Sequence, residues 1–287
     1  MAYEIVVCMK QVPDTENLTG EAMTPDGRVN RSALPAIVNP EDLNALEMAL
    51  QIKEQHGGNV TVVTMGPPSA AEALREALYR GADRAVLLTD RKFAASDTLA
   101  TSYVLSQAIR KLPRPDLVFC GRQAIDGDTA QIGPQLAQKL GLPQFTYVEQ
   151  IVSIGNGEIV ARRSLEGGYE IVKGPLPALL TVLSAANQPR PPAIKRLLKY
   201  KKARAACELD GQAEGIEQYR SRGLLIEQWG AEQIDADPER CGGAGSPTKV
   251  KKIESIKLVS KEHIIVEPTR EALNKLVRDL IGEHILE

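Results

Sequence analysis

Aromatic residues are scarce: three Phe, one Trp and seven Tyr make up 4% of the chain, so any core is built mainly from aliphatic side chains. Charge of one sign is lacking as well. Lys and Arg number 35 against 37 Asp and Glu, a formal net charge of −2, and that balance supplies no field to draw in nucleic acid or an anionic membrane. No apolar run approaches the roughly 20 residues of a membrane span. The opening segment, MAYEIVVCMKQVPD, has no basic stretch followed by a signal-length apolar one. These absences set the expectation of a soluble, cytoplasmic protein with reduced thiols, without a nucleic-acid partner and without membrane insertion. Cys8, Cys120, Cys207 and Cys241 lie far apart, with neither a CxxC pair nor a histidine at zinc spacing, so no metal site is expected. His56, His263 and His284 occur in helix or tail settings and are expected at the surface. With no Ser-His-Asp or Cys-His arrangement in view, no catalytic side chain is assigned.

What is present fits an ordinary globular α/β protein: 287 residues, 43% hydrophobic and 25% charged, enough for one large domain with an appendage or for two small ones. Short β-rich runs alternate with helical patterns, the mark of βαβ units around a buried parallel sheet. The runs 4–9, 60–65, 85–89 and 117–120 are predicted strands. Residues 41–56 place Ala45, Met48, Ala49 and Ile52 on one helical face, and 97–112 do the same with Ala100, Val104 and Ala108. Asn39-Pro40 suits a helix start, Ser96 and Asp97 can cap the next, and Gly141-Leu142-Pro143 stops a helix that begins near Asp128. From Val148 the pattern turns antiparallel. The turns Gly155-Asn156-Gly157 and Gly167-Gly168 separate strands, and 177–184 reads as a buried strand. Two regions follow, 1–234 as the α/β domain and 235–287 as an extended arm with an amphipathic helix at 269–281, whose Leu273, Leu276, Val277 and Leu280 share a face. That face can pack on its own domain or on another chain.

Ligands of open parallel sheets bind beyond the carboxyl ends of the strands. There the informative loop is Gly121-Arg122-Gln123-Ala124-Ile125-Asp126-Gly127-Asp128-Thr129-Ala130-Gln131-Ile132-Gly133-Pro134. Its glycines permit turns, and the helix it opens presents free N–H groups to an anion such as a pyrophosphate. Pro134 delays regular helix to about Ala130, which leaves Thr129, Ala130 and Gln131 at the mouth. Asp126 and Asp128 repel phosphate and are read instead as caps for backbone N–H groups or as facing ribose hydroxyls. As a bare pattern the loop matches neither the P-loop nor GxGxxG, and an ordinary capped βα turn accounts for it better. The neighbouring loops at the same edge are Cys8 to Pro13, Asn39 to Asp42 and Met65 to Ser69, and by residue type Cys8 and Met65 are plain strand positions. The loop 185–193 and the basic run 195–204 read as a solvated face or as a partner-docking segment.

Four ordered motifs carry a resemblance. VVCMKQVPDT at 6–15, VNPEDLNALEMAL at 38–50, ALYRGADRAVLL at 77–88 and DLVFCGRQAIDGDTAQIGPQLAQKLGLP at 116–143 resemble, in turn, the first strand and loop, the first helix start, the second helix with the third strand, and the nucleotide loop of the electron-transfer flavoprotein beta family. The resemblance implies a Rossmann-like open sheet of the adenine-nucleotide-binding type, mainly parallel with helices on both faces, an antiparallel addition and a C-terminal arm. It implies an obligate heterodimer with an alpha subunit, which the arm and its helix would embrace. Nucleotide contacts would fall on Cys8, on Asn39, Pro40, Glu41 and Asp42, on Met65, and on Gly121 through Ile132.

Residues 185–199 become, by the same resemblance, a recognition loop for partner dehydrogenases, with Ala186 at its tip. Two further stretches, 126–134 and Gly245-Ser246-Pro247-Thr248-Lys249-Val250, are similar to the electron-bifurcating and nitrogen-fixation-linked branch. That branch implies a bound FAD, NADH as donor, and transfer to ferredoxin or flavodoxin and to an acyl-CoA dehydrogenase or quinone reductase. The alternatives are a non-bifurcating carrier holding structural AMP and, in another class, a non-redox adenine-nucleotide-binding protein.

Overall fold

A computed structural model of the chain describes residues 2–14, 35–209, 213–249, 265–283 and 285. Strand β1 (Tyr3–Cys8) is the centre of the sheet, and its alternation explains why. Ile5 and Val7 enter one core, Val6 and Cys8 the other, so the strand is buried on both faces as a parallel sheet requires. After a short antiparallel ladder of β2 (Gln11–Pro13) with β3 (Ala36–Val38), α1 (Pro40–His56) returns the chain to β4 (Gly58–Met65). The steps α2 (Ala71–Arg80), β5 (Arg84–Leu88), α3 (Thr98–Lys111), β6 (Leu117–Gly121) and α4 (Ile132–Leu140) complete the βα alternation. Helices cover both faces: Ala45, Leu46 and Ala49 of α1 and Leu74 of α2 pack on one, Val104 and Ala108 of α3 and Leu136 of α4 on the other.

The antiparallel addition consists of β7 (Gln144–Gly155), β8 (Glu158–Leu165) and β9 (Gly168–Pro175), turning at the Gly155–Gly157 and Gly167–Gly168 signals. The buried strand β10 (Ala178–Val182) lies parallel between β6 and β7. Helix α5 (Ile194–Tyr200), β11 (Arg204–Ala205), α6 (Ala213–Ser221) and β12 (Leu225–Trp229) follow. The resulting order is β11-β12-β5-β4-β1-β6-β10-β7-β8-β9. From β1 the chain first builds outward through β4 and β5, then returns to place β6 on the other side of β1. The crevice between the carboxyl ends of β1 and β6 is therefore the switch point where such sheets take ligands. The ladder β2–β3 and the outer strands β11 and β12 escaped the sequence reading, because they are short and give no long periodic signal.

Several expectations need correction. Helix α4 begins at Ile132 rather than near Asp128, since Asp128 and Ala130 adopt left-handed φ values of 48° and 51° and cannot belong to a right-handed helix. His56 is half-buried and sits edge-on to Tyr3, with ring centroids 5.6 Å apart; His263 and His284 fall outside the described residues. Ala186 is half-buried against the core, whereas Ile194 and Leu198 on α5 are 78% and 55% exposed.

The first part of the segment expected to leave the domain, residues 235–248, lies on it. Ala236 and Cys241 are buried beside α3, the Asp237 amide donates to the Tyr103 hydroxyl at 2.9 Å, and Thr248 donates its amide and hydroxyl to Asp97 at 3.2 and 2.7 Å. Asp97 uses its other oxygen to cap α3, accepting from the amides of Leu99 and Ala100, while the Ser96 hydroxyl donates to Phe93 O instead of capping. The last helix, α7 (Arg270–Gly282), is capped by Thr269 and buries none of its residues: Leu273, Val277 and Ile281 are about half exposed.

Candidate functional site

The switch point gathers most of the residues singled out from the sequence, and the first turn of α1 is what organises them. The Asn39 side chain does not cap α1. It faces the loop after β6, donating to Gln123 O at 2.8 Å and accepting from the Ile125 amide at 3.1 Å. Glu41 accepts from the Gln123 amide at 3.0 Å and pairs with Arg122 at 3.2 Å. Asp42 accepts from the Gly121 amide at 3.0 Å with one oxygen and from the Lys10 amide at 2.8 Å with the other. Three consecutive polar side chains around Pro40 thus hold the ends of β1 and β6 and the descending loop. Gly121 is required here: a Cβ would lie 2.5 Å from Asp42 Oδ1 and 2.8 Å from the Asp42 nitrogen.

Asp42 is fully enclosed, and burial pushes its carboxyl up to about 7 against the hydrogen bonds from Lys10 and Gly121 that favour the anion. Beneath it, Cys8 and Cys120 are buried at the ends of the two central strands. A hydrogen bond with Cys8, then burial, holds the Cys120 thiol well above its usual range, so it remains protonated and unreactive at neutral pH. Met65 sits half-buried at the end of β4 on the same edge and packs against the core that includes Cys8.

The loop leaves this anchored base and opens to solvent. Gly127, Asp128 and Thr129 are exposed. Asp126 and Asp128 do not cap backbone amides. Asp126 is taken by the Lys10 ammonium at 2.6 and 2.7 Å, and Asp128 accepts from the Gln123 amide side chain at 2.8 Å. Lys10 is the residue sequence reasoning passed over as a site; its position just beyond the end of β1 was the available signal. Gln131 Oε1 accepts from the Thr98 hydroxyl at 2.7 Å, fixing the mouth of α4 to the start of α3. Gly133 lets α4 approach β10 closely, because a Cβ would lie 2.3 Å from Thr181 Cγ2.

Among the described residues, the amides of Thr129, Ala130, Gln131, Ile132 and Gly133 donate to no group of the chain. Five successive N–H donors without partners at a helix mouth, beyond the carboxyl edge of a parallel sheet, form a cradle for an anion. The same loop cluster carries Lys10, paired with Asp126, and Arg122, paired with Glu41, together with the exposed Asp128. The geometry fits the pyrophosphate and sugar of an adenine nucleotide. Among the described residues no group of acidic, histidine and cysteine side chains suits a metal ion, and no helix is long and apolar enough to cross a membrane.

Comparison with known proteins finds similar chains. The family model described as the electron transfer flavoprotein domain matches residues 26–207. The chain is 43% identical to the electron transfer flavoprotein subunit beta of Clostridium acetobutylicum over 98% of its own length and 99% of the relative's. It is 43% identical to protein FixA of Sinorhizobium fredii, covering 96% of this chain and 92% of that one. It is 42% identical to the caffeyl-CoA reductase-Etf complex subunit CarD of Acetobacterium woodii, covering 98% and 99%.

Proposed function

Because the chain belongs to the electron transfer flavoprotein family, as a beta subunit of the FixA-like branch, we propose that its cradle holds FAD and that it works in flavin-based electron bifurcation. The observation that carries this reading is the row of unpartnered amides from Thr129 to Gly133, reached past a loop that Gly127 leaves uncrowded: a Cβ there would have nothing within 4 Å. Such a cradle accommodates a dinucleotide whose pyrophosphate lies against backbone N–H groups. Lys10 supplies a cation beside the phosphates, and Asp126 and Asp128 accept hydroxyl donors. The loop segments at Cys8, at Asn39 to Asp42, at Met65 and at Gly121 to Ile132 form the binding surface. When bound, FAD would supply the redox chemistry, with NADH as electron donor and with ferredoxin or flavodoxin and an acyl-CoA dehydrogenase or quinone reductase as acceptors.

The family's beta subunits pair with an alpha subunit. We assign α7 to that contact, since its apolar face is unpartnered in the single chain. The exposed Ile194 and Leu198, flanked by the exposed lysines 195, 199, 201 and 202, form the surface for a partner reductase. The test is to purify the chain with its alpha subunit, extract nucleotides in acid, and quantify FAD and AMP. Two FAD and no AMP per heterodimer is the expected result. One FAD with one AMP would make the subunit a single-flavin carrier and sink the bifurcation reading.

A further inference from the structure

Helix α1 carries polar groups that are buried on a second stretch, beyond those that hold the cradle. Asn44 donates to Ser184 O at 3.2 Å and Asn187 O at 2.7 Å, and the Asn187 side chain returns a hydrogen bond to Asn44 O at 3.0 Å. Glu47, itself buried, accepts from the Arg190 amide at 3.1 Å and pairs with its guanidinium at 2.7 Å. Glu54 takes the other edge of the same guanidinium, and Arg80 donates to Arg190 O. Burial opposes charge on Glu47, but the Arg190 hydrogen bonds prevail and hold its carboxyl below the usual range. The polar contacts of the 184–190 segment with α1 therefore fall on Asn44, Glu47 and Glu54, on the same helix whose start carries Asn39, Glu41 and Asp42. A second route joins the same two regions: the Arg122 amide, first of the cradle loop, donates to Val182 O at 2.9 Å, at the end of the strand from which the 184–190 segment departs.

We propose that α1 couples the nucleotide cradle to the segment 184–190 through Asn44, Glu47 and Arg190, so that an occupied cradle holds the partner-facing α5 in place. Asn44, Glu47 and Arg190 act in this coupling as positioning residues, through the contacts they make with one another and with the 184–190 backbone. The physical basis is that both loops are ordered by one helix. A nucleotide that immobilises Gly121 to Ile125 immobilises the first turn of α1, and the loop pinned one turn later then loses less freedom when it is held. The element with two arrangements is the 184–190 segment, clamped on α1 or released from it. By linkage, whatever favours the clamped form at α5 also tightens nucleotide binding. The pair suits such a clamp because Glu47 is buried and its carboxylate is strongly disfavoured without Arg190, whose half-buried guanidinium holds it through two nitrogens.

This inference rests on the reading of 121–133 as a nucleotide cradle, and the experiment separates the two. Hydrogen exchange is followed by mass spectrometry in the heterodimer, with its nucleotides and after they are stripped. The reporters are the amides of Ala186, bonded to Leu183 O, and of Arg190, bonded to Glu47. Stripping is expected to speed exchange in 184–190 by about tenfold, alongside faster exchange in 121–133. Glu47→Gln and the milder Arg190→Lys are expected to speed exchange in 184–190 of the loaded complex and, by the same linkage, to weaken nucleotide retention by no more than the factor seen on stripping. A response confined to 121–133 overturns the coupling alone, as does Glu47→Gln and Arg190→Lys leaving 184–190 unaltered. No response in either segment overturns the cradle reading and the coupling with it.

Discussion

Replacing Asp42 by Asn tests whether burial or hydrogen bonding governs the centre of the site. The carboxyl rises from its ordinary 3.8 to about 7, with burial the largest cause and the amides of Lys10 and Gly121 opposing it. A raised carboxylate means that between these values the folded chain keeps a proton that the unfolded chain has lost. Its stabilising contribution is full below about 4 and is lost as pH rises toward 7, at about 1.4 kcal/mol per pH unit. Asn is nearly isosteric with the protonated acid and does not titrate. It leaves one of the two amides facing an NH2 group, a cost of about 1–3 kcal/mol that does not vary with pH. The stability advantage of the parent over Asp42→Asn should therefore shrink by roughly 2–3 kcal/mol from pH 5 to pH 7 and level off above pH 8. Urea unfolding of the two heterodimers across pH 5 to 8.5 measures it. A difference that stays constant, or grows with pH, would mean the carboxylate is ionised throughout and that its two amide donors outweigh burial.

Other substitutions separate the fold from the ligand. Gly121→Ala drives a Cβ into Asp42 and the α1 backbone, so thermal unfolding should show a loss of about 1–3 kcal/mol. Gly127→Val meets open space and should leave stability within about 0.5 kcal/mol, yet lower the nucleotide recovered by acid extraction; full occupancy would refute close approach of a ligand at that point. Lys10→Met breaks a solvent-accessible pair with Asp126 worth at most about 1 kcal/mol of stability, but is expected to weaken nucleotide retention, measured by equilibrium dialysis. Leu273→Glu with Val277→Glu alters only half-exposed positions of α7 and should raise the dissociation constant for the alpha subunit by about tenfold or more, read by sedimentation of the mixed subunits.

By itself the sequence determined the βα alternation, the antiparallel addition and the amphipathic last helix, because each rests on a local period: strand runs buried on both faces, turn glycines, an apolar face repeating every three to four residues. It also determined which loops meet, since the carboxyl ends of parallel strands share one edge whatever the detail. The short strands β2, β3, β11 and β12 carry no such period, and only the sheet they extend makes them strands. Tertiary structure likewise decided the roles of the acids. Asp126 and Asp128, free by pattern to cap a helix, are taken by Lys10 and Gln123, and left-handed Asp128 and Ala130 put the helix start at Ile132. Asp42 looks like any first-turn acid until the backbone of Lys10 and Gly121 closes over it. Arg190, a cation in the proline-rich loop ahead of the basic run, becomes a clamp only because α1 brings Glu47 and Glu54 to it across 143 and 136 residues of chain. Hydrogen bonds of that separation have no signature in a window of sequence; they exist only once the packed sheet has set where α1 lies.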